Sequence, residues 1–143
     1  MGCDIHAHFE VKINDKWEHY SIPNIKRNYY LFTKMAGVRN YDDEIKPISS
    51  PKGIPKDISV ITKICIKLWE GAGHSYSWLN SQEIKEVIKF LEDLYDDKSW
   101  KVHHEEFGYF FGNGFNDFND FIDSKEEFLK EIEDLRLVFW FDN

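Results

Sequence analysis

Four side chains near the start of the chain have the types and spacing for chemistry. Asp4, His6, His8 and Glu10 recur at every second residue. Along a strand this puts them on one face, about 6–7 Å apart at each step. Neighbouring histidines at that distance can converge on one metal ion or one phosphate. Imidazole and carboxylate are also the groups that move protons near neutral pH. A solvated strand face is polar by default, but it normally carries Lys, Glu and Thr. This one carries two His between two acids. Cys3, Ile5, Ala7, Phe9 and Val11 alternate with them. That apolar face pins the register, so all four polar groups point together.

A second cluster, His74-Ser75-Tyr76-Ser77-Trp78, follows Gly71-Ala72-Gly73 and precedes a helix start. Helix N-termini hold phosphate through free amides and the macrodipole. Ser75 and Ser77 add donors, and Trp78 or Tyr76 can stack on a base. The plainer reading makes the serines turn residues and Trp78 core. Arg27-Asn28-Tyr29 and Val38-Arg39-Asn40-Tyr41 form a third cluster, in which Arg-Asn-Tyr occurs twice. Arg makes forked phosphate contacts, and Tyr29 can stack. Surface Arg paired with acid is the commoner outcome in an acidic chain.

His74 would join Asp4, His6 and His8 as a further acid–base member or as a metal ligand, and a divalent ion is the cofactor such a set would hold. Metal-free acid–base work uses His6 and His8 equally well. In His103-His104-Glu105-Glu106 adjacent histidines on a strand point oppositely, so at most one would join a given site. Cys3 lies on the apolar face, away from His6, which disfavours a Cys–His nucleophile pair. No Walker loop, dinucleotide fingerprint, HExxH or zinc-ribbon spacing occurs.

The elements that must position these groups follow from periodicity and caps. Asp4 to Ile13 is a strand. Asn14-Asp15-Lys16 is a hairpin turn and Trp17 to Tyr20 a return strand. Tyr29 to Ala36 is a short helix between Asn28 as N-cap and Gly37 as stop. Val38 to Lys56 reads as an ordered loop. Asp57 would cap a helix carrying an apolar stripe of Ile58, Ile61, Cys65 and Leu68. Residues 74–78 form a loop or short extended segment. Asn80 with Glu83 makes a capping box for a helix over 81–95. Residues 100–121 resist assignment; within them Asn116 to Phe121 repeats a triplet without calcium-loop spacing, a local turn. Ser124 with Glu127 opens a helix over 124–134, and Leu135 to Phe141 is a strand. The expected fold class is α+β: a single domain over 1–143, mainly antiparallel sheet with helices packed on one face. The first and last strands share the sheet. The histidine face lines a pocket closed by the Arg27 and His74 loops.

Composition narrows the partners. At 143 residues the chain has the size of one domain. Its 26 acidic against 18 basic residues, net −8, argue against a groove for duplex nucleic acid. No run nears the roughly 18 apolar residues a membrane helix needs. The N-terminus lacks a signal peptide pattern, and Cys3 and Cys65 set no disulfide framework. A reducing cytoplasm and no membrane partner are expected. Aromatic residues at 17 % imply an aromatic core, an aromatic pocket or a homo-oligomer face.

Gly2-Cys3-Asp4-Ile5-His6, Arg27-Asn28-Tyr29 with Leu31-Phe32, Ala36-Gly37-Val38-Arg39, Pro51-Lys52-Gly53-Ile54-Pro55, His74 to Leu79 and the closing Arg136 to Asn143 span nearly the whole chain. Together they resemble a family of small proteins of bacteriophages and prophage-bearing bacteria, which carries no established activity. The phage setting implies likeness in kind to anti-defence proteins, which sequester or cleave the nucleotide signals of bacterial immunity. Three readings follow, all in the host cytoplasm. The first is a phosphodiesterase acting on a cyclic or other small nucleotide. Its catalytic set would be His6, His8, Asp4 and His74, with Arg27 or Arg39 on the phosphate. The second is a non-catalytic sponge using Arg27, Arg39, Ser75 and Ser77 on phosphates and Tyr29 and Trp78 on bases. The third is an interaction module for a host protein.

Overall fold

The computed structural model describes residues 2–41, 43, 45–96 and 131–143. Its elements in chain order are β1 (Asp4–Ile13), β2 (Lys16–Ser21), α1 (Tyr29–Ala36), α2 (Val60–Leu68), β3 (Gly73–Asn80), α3 (Ser81–Asp96) and β4 (Asp134–Asp142). The strands form one antiparallel sheet in the order β2-β1-β4-β3. This is an α+β domain; the first and last strands share the sheet as expected, and they pair with each other at its centre. The 100–121 segment, the pair His103-His104 and most of the 124–134 helix lie outside the described residues. Where that helix was expected to run on, residues 131–133 are turn and coil and Asp134 already belongs to β4.

Local chemistry sets each boundary. Asn14 and Asp15 both take positive φ, 50° and 63°, and close the hairpin. Two left-handed residues match the twist of the flanking strands. Asn28 caps α1 by accepting from the amides of Tyr30 and Leu31. Gly37, at φ 72°, ends it by donating its amide to the Thr33 carbonyl. Asn28→Ala should cost about 1 kcal/mol, read as a lower urea midpoint at unchanged m-value. Asn28→Asp, which keeps the accepting oxygen, should retain most of the stability. The expected capping box forms at α3, where Asn80 and Glu83 exchange backbone-to-side-chain bonds at 3.1 and 2.9 Å.

Period-two alternation makes the sheet two-faced. On one face Ile5, Ala7, Phe9 and Val11 of β1 meet Leu135, Leu137, Phe139 and Phe141 of β4. Leu31, Phe32 and Met35 of α1 and Ile84, Val87 and Leu91 of α3 seal them into the core. Part of the aromatic excess sits here: Phe9, Phe32, Phe139 and Phe141 are all buried.

The other face is not left to water. His8 is 3 % exposed and Glu10 0 %, because α2 lies over this side of the sheet. Asp57 does not cap α2 as the sequence suggests; Ser59 occupies the N-cap position without a side-chain cap bond. Asp57 instead accepts from Arg136 of β4 at 2.8 Å. The rotation of α2 is set by Thr62, its one fully buried side chain, which donates to Glu10 at 2.9 Å. Ile61 and Leu68 of the expected stripe consequently face outward, with Val60 and Ile64. Among the described residues no helix is long and apolar enough to cross a membrane.

Candidate functional site

The polar face of β1 does line a pocket. A cleft of about 270 Å³ has His6, His8 and Trp140 on its sheet side. Ile22, Pro23, Asn24 and Ile25 form one wall; Cys65, Leu68 and Trp69, at the end of α2, form the other. The expected lids were the Arg27 and His74 loops. The loop that carries Arg27, the β2–α1 connection, does close one side of the cleft; α2, and not the His74 segment, closes the other.

Register assembles the chemistry. Nine pairs join β1 to β4, placing Asp4 opposite Asp142 and His6 opposite Trp140. His6 reaches diagonally, so that its Nε2 lies 2.5 Å from Asp142 Oδ2. Diagonal neighbours on an antiparallel face are within reach of a long side chain. The His6 ring lies against Trp69, centroids 4.0 Å apart, and beside Trp140 at 5.7 Å. Among the described residues its other nitrogen meets no hydrogen-bond partner, and the side chain is 26 % exposed. A carboxylate on one imidazole nitrogen fixes the tautomer and leaves the second nitrogen to accept a proton.

Asp4 stands next to this pair and takes both oxygens to Arg27, each bond at 2.9 Å. The guanidinium holds the Asp4 carboxyl below its ordinary value. Gly2 makes room for it, since a Cβ there would collide with the Arg27 guanidinium. The guanidinium is therefore shared with Asp4 before any phosphate arrives.

His8 differs from His6. Its Nδ1 lies 3.0 Å from His19 Nε2, and its ring stacks on Trp140 at 5.3 Å. Burial and the neighbouring His19 push its pKa from 6.5 down to about 4. His8 is therefore neutral at pH 7 and a poor proton carrier there. Burial lowers His19 as well. The unfolded chain binds more protons than the folded one between pH 6.5 and 4, so stability falls as pH drops through that window. For His8 the loss is on the order of 3 kcal/mol. Urea titrations at pH 7.5 and 4.5 should show it, and His8→Gln should flatten the slope between them. An unchanged slope in that variant would refute the assignment.

The remaining candidates lie elsewhere. A bulge in β3 sets Ser75 and Tyr76 against the single residue Trp140, since His74 pairs with Phe141 and Ser77 with Phe139. The extra residue turns His74 to the opposite side of the sheet from His6 and His8, so it does not join them. Ser77 is buried and accepts from the Lys52 amide, and the Lys52 ammonium sits 4.0 Å over the Trp78 ring. Arg39 lies over the Tyr29 ring at 5.5 Å and donates to the Tyr41 hydroxyl. Tyr29 accepts from the Cys3 amide. Arg39 and Tyr29 are thus drawn together, and Ser77 and Trp78 are joined through Lys52. Asp4, His6, His8 and His74 do not converge on a metal position. Among the described residues no three His, Cys, Asp or Glu side chains are grouped to hold an ion.

Sequence reasoning missed Asp142, Trp69, Trp140, Cys65 and His19. The alternation Arg136, Val138, Trp140, Asp142 signals which face of the last strand they occupy, but not the register that brings Asp142 to His6. Set against family models, curated proteins and solved structures, the chain matches none.

Proposed function

We propose that the cleft binds a small phosphate-bearing nucleotide and hydrolyses a phosphodiester bond, with His6 as the proton-transferring group and Asp142 as its orienter. The observation that carries this reading is the His6–Asp142 contact inside a cleft walled by Trp69 and Trp140. With Nε2–H donated to Asp142, Nδ1 of His6 takes a proton from the attacking water. Water oxygen bonds to phosphorus, the ester P–O bond breaks, and the imidazolium returns its proton to the leaving oxygen. The half-buried Trp69 indole offers stacking surface for a base, and Arg27, already bonded to Asp4, would be shared with the phosphate. In the phage setting that the resemblance implies, such cleavage would remove a nucleotide immune signal.

The test is incubation with cyclic di- and trinucleotides and ADP-ribose derivatives, with and without EDTA, followed by chromatography before and after boiling. New product peaks that persist in EDTA are expected. Depletion of free ligand, with intact ligand released on boiling, would replace the hydrolase by the sponge. A protein-interaction module is the second reading, favoured by one observation. Val60, Ile61, Ile64 and Leu68 of α2 are 52 to 80 % exposed. It predicts that no nucleotide in the panel binds.

A further inference from the structure

The bulge that removes His74 from the cleft builds a second constellation at the far side of the sheet. His74 Nδ1 lies 2.9 Å from Ser75 Oγ, and His74 Nε2 lies 2.9 Å from Asn143 Oδ1. The amide oxygen of Asn143 can only accept, so Nε2 carries the ring proton. Nδ1 is then the bare nitrogen and accepts the Ser75 hydroxyl. This is a nucleophile, a base and an orienter in hydrogen-bonded series, recognised by geometry and not by chain order.

Two further observations separate it from an ordinary turn. Ser75 holds φ 56°, a left-handed conformation that disfavours any residue with a Cβ. At a bulge this position suits glycine; serine keeps the strained backbone and adds a hydroxyl. The His74 ring is also backed by Phe141, centroids 6.2 Å apart, which limits its swing.

We propose that Ser75 is an acyl-accepting nucleophile activated by His74 and Asn143, acting on carboxylic esters. Ser75 Oγ bonds to the ester carbonyl carbon while its proton passes to His74 Nδ1. The ester C–O bond breaks, and the alcohol leaves with that proton. Water then attacks the acyl carbon while its proton passes to His74 Nδ1; the C–Oγ bond breaks, His74 returns the proton to Ser75 Oγ, and the acid is released. This activity is independent of the His6 cleft.

An alkyl fluorophosphonate probes the nucleophile directly, because Oγ displaces fluoride from phosphorus by the same proton path. The whole chain is incubated with the probe, digested and mapped by mass spectrometry, alongside p-nitrophenyl acetate turnover. The expected result is one adduct on the Ser75 peptide. Ser75→Ala should abolish it, and His74→Ala should slow it about 10²-fold or more. Asn143→Ala should slow labelling about tenfold, as loss of the orienting acceptor. Asn143→Asp, which still accepts from Nε2–H, should restore it, a rescue that a merely structural role would not give. No adduct on Ser75 in the unmodified chain overturns the proposal, whatever the variants' folding. So does labelling in folded His74→Ala at the unmodified rate.

Discussion

Replacing Arg136 with alanine should destabilise the fold by about 3–5 kcal/mol, lowering Tm by about 10–15 °C. Glu10 is 0 % exposed, and its carboxylate is fully bonded. Oε1 accepts from Arg136 Nε at 2.9 Å and Nη2 at 2.7 Å. Oε2 accepts from the Ser59 amide and the Thr62 hydroxyl, both at 2.9 Å. Arg136 also donates to Asp57 and lies 4.0 Å over the Trp17 ring. Removing the guanidinium leaves a buried charge without its partner, which costs far more than the pair contributes net. Native domains hold only about 5–15 kcal/mol in total, so this one contact can remove a large part. Replacing Glu10 and Arg136 together by methionine should cost much less than the sum of the single changes, because neither charge is stranded. Urea denaturation of the two single variants and the double variant measures the coupling. A single-variant loss under about 1 kcal/mol would contradict it. The same carboxylate holds α2, and α2 forms a wall of the cleft, so hydrogen exchange in residues 60–69 should rise in the Arg136→Ala chain.

What the sequence made legible was local. The phase of β1 followed from strict alternation, the ends of α1 from Asn28 and Gly37, and the start of α3 from Asn80 and Glu83. Each of these is decided within a few residues. The rest depended on contacts between distant parts of the chain. The apolar residues of α2 at helical spacing gave no sign of facing outward, because a single polar contact from Thr62 to Glu10 outweighs them in setting the rotation. Residues 74–78 read as a loop or short extended segment; they belong to β3, and one extra residue in a bulge decides that His74 faces away from His6. Glu10 looked like a member of the reactive face. Its partner Arg136 stood at the other end of the chain, in a closing motif used only for the resemblance. The same nine-pair register that joins them also brings Asp142 to His6. Strand identity was readable at both ends; register was not, and register chose the residues of the site.

That choice is open to a direct kinetic test. His6→Ala should lower phosphodiester turnover by about 10²–10⁴-fold. The fold should survive, because His6 keeps 26 % of its side-chain exposure and Asp142 keeps 20 %. Asp142→Asn should cost about 10²-fold or more in kcat by a different route. The asparagine amide can donate to Nε2, which moves the ring proton to Nδ1 and blocks the nitrogen that must receive one. Both changes act on a proton in flight, so KM should stay within about threefold. Trp69→Ala should do the reverse, since on the proposed reading the ring would stack on ligand in ground and transition state alike, and its loss would raise KM. His8→Gln should leave kcat nearly unchanged at pH 7, because His8 is already neutral and held by His19. The pattern matters more than any one number. Loss in kcat at His6 and Asp142, loss in KM at Trp69 and silence at His8 would place the chemistry on the diagonal between β1 and β4. Equal losses at His6 and His8 would return it to the strand face as a unit. Unchanged turnover in His6→Ala would remove the cleft from the reaction altogether.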